Sequence, residues 1–155
     1  MKTHFKILLS LTLLLLLCSS CCKTDDEGLV IPDPVLGCLD INALNYNSLA
    51  DTEDGSCRYS VATFYAKFNF FQGIPIVNID VTINGEFIGS ISDGFIWPNG
   101  PGNCSSQGTV PYQFLDSTPV DWNATLFLAN GQSFSTGGIR TPSSSIECIK
   151  INVTI

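Results

Sequence analysis

Alternation of apolar and polar residues, taken up afresh in several segments after position 59, constrains this chain more than any other feature. Ala62, Phe64, Ala66, Phe68 and Phe70 fall on one side of an extended segment, with Val61, Thr63, Tyr65, Lys67 and Asn69 on the other. Gln72-Gly73-Ile74-Pro75 interrupts the run. Val77, Ile79, Val81 and Ile83 then alternate with Asn78, Asp80, Thr82 and Asn84. A helix would bury every third or fourth residue, so period two means strands. Asn84-Gly85 supplies the dipeptide that suits a tight hairpin turn, and Glu86 to Ile91 returns as the next strand. Thr109 to Leu115, Asp121 to Ala129, Gln132 to Thr136 and Glu147 to Ile155 continue the pattern, with Ile149, Ile151, Val153 and Ile155 inward. Ser92 to Gln107, rich in Gly, Pro, Asn and Ser, reads as a long loop. The expectation is an all-β chain, an antiparallel β-sandwich of about seven strands.

The other end of the chain speaks of address. Lys2 and Lys6 precede an apolar run from Ile7 to Leu17, broken by Ser10 and Thr12. Such a run is too short to span a bilayer as a helix, which needs about 20 residues. A basic end with a short apolar stretch is the pattern of a secretory signal. Cys18-Ser19-Ser20-Cys21 resembles a bacterial lipobox, with Cys18 where Leu is usual. The resemblance implies lipid on Cys21, removal of residues 1–20, and a spare thiol at Cys22. Lys23-Thr24-Asp25-Asp26-Glu27 resembles the short tag that carries Bacteroidota lipoproteins to the outer face of the outer membrane; a solvated linker accounts for it equally well.

Loss of the signal changes the chemistry open to the protein. Of seven basic residues, Lys2 and Lys6 depart, leaving five against fourteen acidic ones, a formal charge of −9. Nucleic acid and anionic lipid are therefore poor partners. Eight of the acids lie between Asp25 and Asp54, so the acidity belongs to the N-terminal part and not to the β domain. His4, the sole histidine, leaves as well, which removes imidazole as a base or zinc ligand. Residues 21–36, with Pro32 and Pro34, read as an acidic tether.

Cys38, Cys57, Cys104 and Cys148 remain, and in an exported chain they read as two disulfides with three possible pairings. Cys148 has the opposite parity to Ile149 and Ile151, so it faces away from the core and can reach a loop cysteine; Cys104 fits. Between Cys38 and Cys57, Asp40, Asn42, Asn45, Asn47, Asp51, Glu53 and Asp54 crowd oxygen-bearing side chains into one short loop. Hard cations such as Ca²⁺ take six to eight oxygens, and Asp40, Asn45, Asn47 and Asp54 are the candidate ligands. Asn and Asp serve metal-free turns equally well, because they bond their own backbone.

Cys38, Asp40, Ala43, Asn45, Tyr46, Asn47, Ala50, Asp54, Gly55, Ser56 and Cys57 together resemble a short repeat of secreted and surface proteins of Bacteroidota and other marine bacteria. Leu39, Ile41 and Glu53 depart from its usual Thr, Pro and Asp. The resemblance implies a module, residues 37–58, closed by a Cys38–Cys57 disulfide. Residues 59–155 resemble the transthyretin-like or carboxypeptidase-regulatory-like sandwiches of small Bacteroidota lipoproteins. Thr63-Phe64-Tyr65, Val81 to Gly89, the Cys104 loop and the Cys148 strand carry that likeness.

Among the aromatics, Trp122 is expected in the core beside Leu126 and Leu128, whereas Trp97, in its Pro/Gly loop, is the candidate to face a ligand. Asp80, Glu86, Asp93, Asp116 and Asp121 sit on strand edges and turns, with no pattern setting two across a cleft as glycoside hydrolysis requires. The expectation is a lipid-anchored outer-membrane protein, exposed at the cell surface, with a non-catalytic binding or structural role. Its partners would be the membrane, through the lipid, and a surface glycan or protein, with no cofactor beyond calcium at the module. The alternative is a glycan-directed accessory protein or a small carboxylate-dependent hydrolase.

Overall fold

The structure, a computed structural model, describes residues 32–154. The expected signal, Cys21, Cys22, most of the expected tether and Ile155 lie outside the described residues. The described residues are all-β, and Pro34–Ile155 forms one compact unit. The unit begins before position 37, because the end of the expected tether is folded: Leu36–Gly37 (β1) pairs in parallel with Thr52–Glu53 (β2). The Val35 amide also donates to Asp51 Oδ1 at 3.0 Å.

Seven strands of four residues or more form the sandwich. Val61–Tyr65 (β3) is the middle of a three-stranded sheet, flanked by Val110–Gln113 (β7) and Cys148–Asn152 (β10). Phe70–Phe71 (β4), Ile74–Ile83 (β5), Glu86–Ser92 (β6), Val120–Leu128 (β8) and Ser133–Arg140 (β9) build the five-stranded sheet. Pairing is antiparallel throughout the two larger sheets except between β3 and β10, which run parallel. Phe64 and Ile151 from the smaller sheet meet Ile79, Val81, Trp122 and Leu126 from the larger in one core. Trp122 fills that core, its ring 5.4 Å from Phe64.

Hairpin chemistry appears where the dipeptides call for it. Asn84 and Gly85 adopt φ of 52° and 81°, and Gln72 and Gly73 adopt 51° and 80°, the doubly positive pair that matches strand twist. The second of these turns starts a strand that the alternation misplaced. β3 stops at Tyr65: the Ala66 carbonyl accepts the Trp97 amide at 2.8 Å, and the Lys67 amide turns to Thr154 Oγ1 at 3.0 Å. Phe68 and Phe70 therefore leave the core face and are 53% and 52% exposed.

Parity fails once more in β5. The register against β8 slips between Ile76 and Asn78, so one extra residue flips the faces. Ile76 is inward at 5% exposure, and Val77, expected inward, is outward at 46%.

β3 is covered on both sides, which is why Thr63 on its outer face is as buried as Phe64 on its inner one. The cover is the 93–109 loop. Pro101 is fully buried within it, and Cys104 Sγ reaches to 3.3 Å from the Val61 carbonyl oxygen. The Cys104–Cys148 disulfide ties this loop to β10, where Cys148 stands beside Val61.

Candidate functional site

The disulfide-closed module is a chain of turns in which side-chain oxygens cap main-chain amides. Asp40 Oδ1 accepts the Asn42 amide at 2.8 Å, Asn47 Oδ1 the Leu49 amide at 3.0 Å, and Asp54 Oδ1 the Ser56 amide at 2.9 Å. Each spans two residues, the Asx-turn geometry. Asn45 works across the loop instead, accepting the Arg58 amide at 2.7 Å and donating Nδ2 to the Ser56 carbonyl at 2.8 Å. Thus all four candidate calcium ligands direct an oxygen to backbone N–H groups. Asp54 lies below the usual carboxylate range, chiefly through the Ser56 hydroxyl and amide.

Glu53 closes the module from the other side. Its Oε2 accepts the Leu39 amide at 2.8 Å and its Oε1 the Gly55 amide at 3.0 Å. Both oxygens then stand 3.6 Å from Cys57 Sγ. Among the described residues, Cys38, Glu53 and Cys57 gather three ligand-type atoms within 4.8 Å of one another. The two sulfurs, however, form the Cys38–Cys57 disulfide, with Cα atoms 4.8 Å apart, and carry no thiolate to offer a metal.

The module is fastened to the end of the sandwich. The Leu44 amide donates to the Arg58 carbonyl at 2.7 Å, and the Tyr59 hydroxyl donates to Asp40 Oδ2 at 2.8 Å. That acceptor, then burial, then the charges of Asp40, Asp116 and Glu53 hold the Tyr59 phenol up at about 12. Asp40 is held below the usual range, first by the Asn42 amide and then by Tyr59. Asp116 is also lowered, by the Thr118 hydroxyl and amide, against the opposing charge of Asp40. Beside this fastening opens a cleft of about 380 Å³ lined by Leu44, Arg58, Tyr59, Gln113, Leu115 and Glu147 among others. Gln113 is already committed there: its Nε2 donates to the carbonyls of Tyr59 and Phe114, each at 3.0 Å.

Trp97 lies at the opposite end of β3. It is half-buried, with its indole nitrogen buried and without a hydrogen-bond partner among the described residues. Two of the carboxylates weighed for hydrolysis occupy different parts of the fold. Asp80 is on the outer face of the larger sheet, with Oδ1 accepting from Asn78 and Ser90, whereas Asp116 caps its own turn near the module. Tyr59 is the residue that sequence reasoning passed over, and Glu53, counted there among the oxygen-bearing side chains, was not one of the four candidate ligands. Tyr59 follows the closing Cys57-Arg58 directly, and that adjacency was the available signal.

No protein-family model, curated protein or solved structure matches this chain significantly.

Proposed function

We propose that this chain is a lipid-anchored protein of the outer membrane, displayed at the cell surface, whose β-sandwich binds or scaffolds and does not catalyse. The lipobox-like Cys18-Ser19-Ser20-Cys21 and the acidic stretch after it support the address. The observation that carries the non-catalytic reading is geometric: of the carboxylates weighed for hydrolysis, Asp116 caps its own turn, and Asp80 is bonded to Asn78 and Ser90 on the outer face of the larger sheet. Asp40, Asp54 and Asp116 each hold their own turn and are pushed towards the ionised form. A general acid at neutral pH needs the opposite, a carboxyl raised by burial or by a like charge. The Asn/Asp-rich module serves as a metal-free, disulfide-closed cap on the sandwich end.

Brief protease treatment of intact cells tests the surface placement. Peptides from the exposed 93–109 loop edge and from the tether should be released without lysis. Recovery of the protein intact from washed, unlysed cells, with cleavage only after lysis, would contradict it.

A further inference from the structure

We propose that the outward face of the five-stranded sheet, between Phe87 and Phe127, binds a neutral polysaccharide chain. The proposal deepens the binding reading above and rests on it. Register defines the face. Asn78, Asp80 and Thr82 of β5 stand opposite Phe127, Thr125 and Asn123 of β8, and Asp80 and Thr82 stand opposite Ser90 and Phe87 of β6. The alternate residues Ile79, Val81, Ala124 and Leu126 are all buried at 1% or less, so this set points away from the core.

The polar part of the face is ordered before any ligand arrives. Asp80 Oδ1 accepts from Asn78 Nδ2 at 2.5 Å and from Ser90 Oγ at 2.6 Å. Both bonds fall on Oδ1, leaving Oδ2 for a ligand hydroxyl. Thr125 Oγ1 shares a hydrogen bond with Ser135 Oγ at 3.1 Å and lies 3.3 Å from Asn123 Oδ1. Amides, hydroxyls and a fixed carboxylate both donate and accept, as sugar hydroxyls require. Phe87 and Phe127, 59% and 38% exposed, place apolar rings at diagonal corners of this field. From strand rise and spacing they stand roughly 16 Å apart, which a chain of a few sugar rings laid obliquely across β6, β5 and β8 would span.

The face fits other partners poorly. The outward positions of β5, β6, β8 and β9 named above hold no lysine or arginine, so phosphate and sulfate chains have no counter-charge. A protein partner would want a broad contiguous apolar contact, and here Val77 and Phe127 gather at one end of the face and Phe87 stands at the other, with Asp80, Thr82, Asn123 and Thr125 between them.

The test is gel retardation and calorimetry of the full chain in mild detergent with laminarin, xylan and mannan as neutral probes and polygalacturonate as the anionic one. At least one neutral polysaccharide should retard the protein, and polygalacturonate should not. Phe87→Ala with Phe127→Ala should weaken binding about tenfold or more, the scale of a lost aromatic anchor, at an unchanged thermal midpoint. Thr125→Val, close in shape, reads the same face if truncation of a phenylalanine disturbs the fold. Retardation undiminished in these variants would overturn this face while leaving a binding role to another surface. No retardation by any neutral probe, or photo-crosslinking from position 127 to a protein, would overturn the polysaccharide assignment and leave the surface-placement test to stand alone.

Discussion

The Tyr59 hydroxyl donates to Asp40 Oδ2 at 2.8 Å, and this bond joins the turn just inside the first disulfide to the first residues of the sandwich. It gives the module a fixed seat, although its own apolar content is slight.

The bond makes the seat pH-dependent at both limits. Tyr59 titrates higher when folded, about 12 against 10.0, so its contribution is complete below pH 10 and disappears as pH rises through 12. Asp40 titrates lower when folded, so its contribution is present above the ordinary carboxylate range and is lost as pH falls through the folded value. Tyrosinate absorbance should show one of the four tyrosines titrating near 12, and Asp40→Asn should bring that step down towards 10. A Tyr59→Phe variant with an unaltered titration curve would contradict the assignment.

Removing Cys38–Cys57, which closes 19 residues, should lower unfolding free energy by about 3 kcal/mol. Removing Cys104–Cys148, which closes 44, should lower it by about 4 kcal/mol. Denaturant unfolding of the paired Cys→Ser variants measures both. The second should also loosen the 93–109 loop, read as faster amide exchange at Thr63, which that loop buries.

The bulge in β5 predicts opposite outcomes at adjacent residues. Ile76→Ala should cost about 2–5 kcal/mol, as for other buried aliphatic truncations. Val77→Ala should fall within about 0.5 kcal/mol of the parent. Equal losses would place the bulge elsewhere.

Calcium should leave the module unchanged. Calorimetric titration with millimolar Ca²⁺ should give no heat and no rise in thermal midpoint, because the oxygens of Asp40, Asn45, Asn47 and Asp54 already hold the turns. Saturable heat, abolished by Asp40→Asn or Asp54→Asn, would overturn the metal-free account.

How much of this was legible beforehand follows from the range of each interaction. Alternation and Asn84-Gly85 are local, and they identified β5, β6, β8 and the turn between the first two. Ile76 and Val77 are adjacent and both apolar, so either parity satisfies the pattern, and only the partner strand β8 decides between them. Phe68 and Phe70 continue an alternation that ends because Ala66 bonds Trp97, a contact far along the chain. The parallel pairing of β3 with β10 joins the two ends of the sandwich and has no local signature. In the module, Asx turns and cation sites draw on the same oxygens, so composition alone supports both. The outward face of the larger sheet was hidden for a related reason: a ligand platform and a solvated strand face share one alternation.

The central claim, a protein held at the membrane by lipid on Cys21, is tested most directly by mass spectrometry of the mature N-terminus. The account predicts an N-terminal peptide that begins at Cys21 and carries the mass of acyl chains. An unmodified N-terminus, or one that begins at another residue, would contradict it.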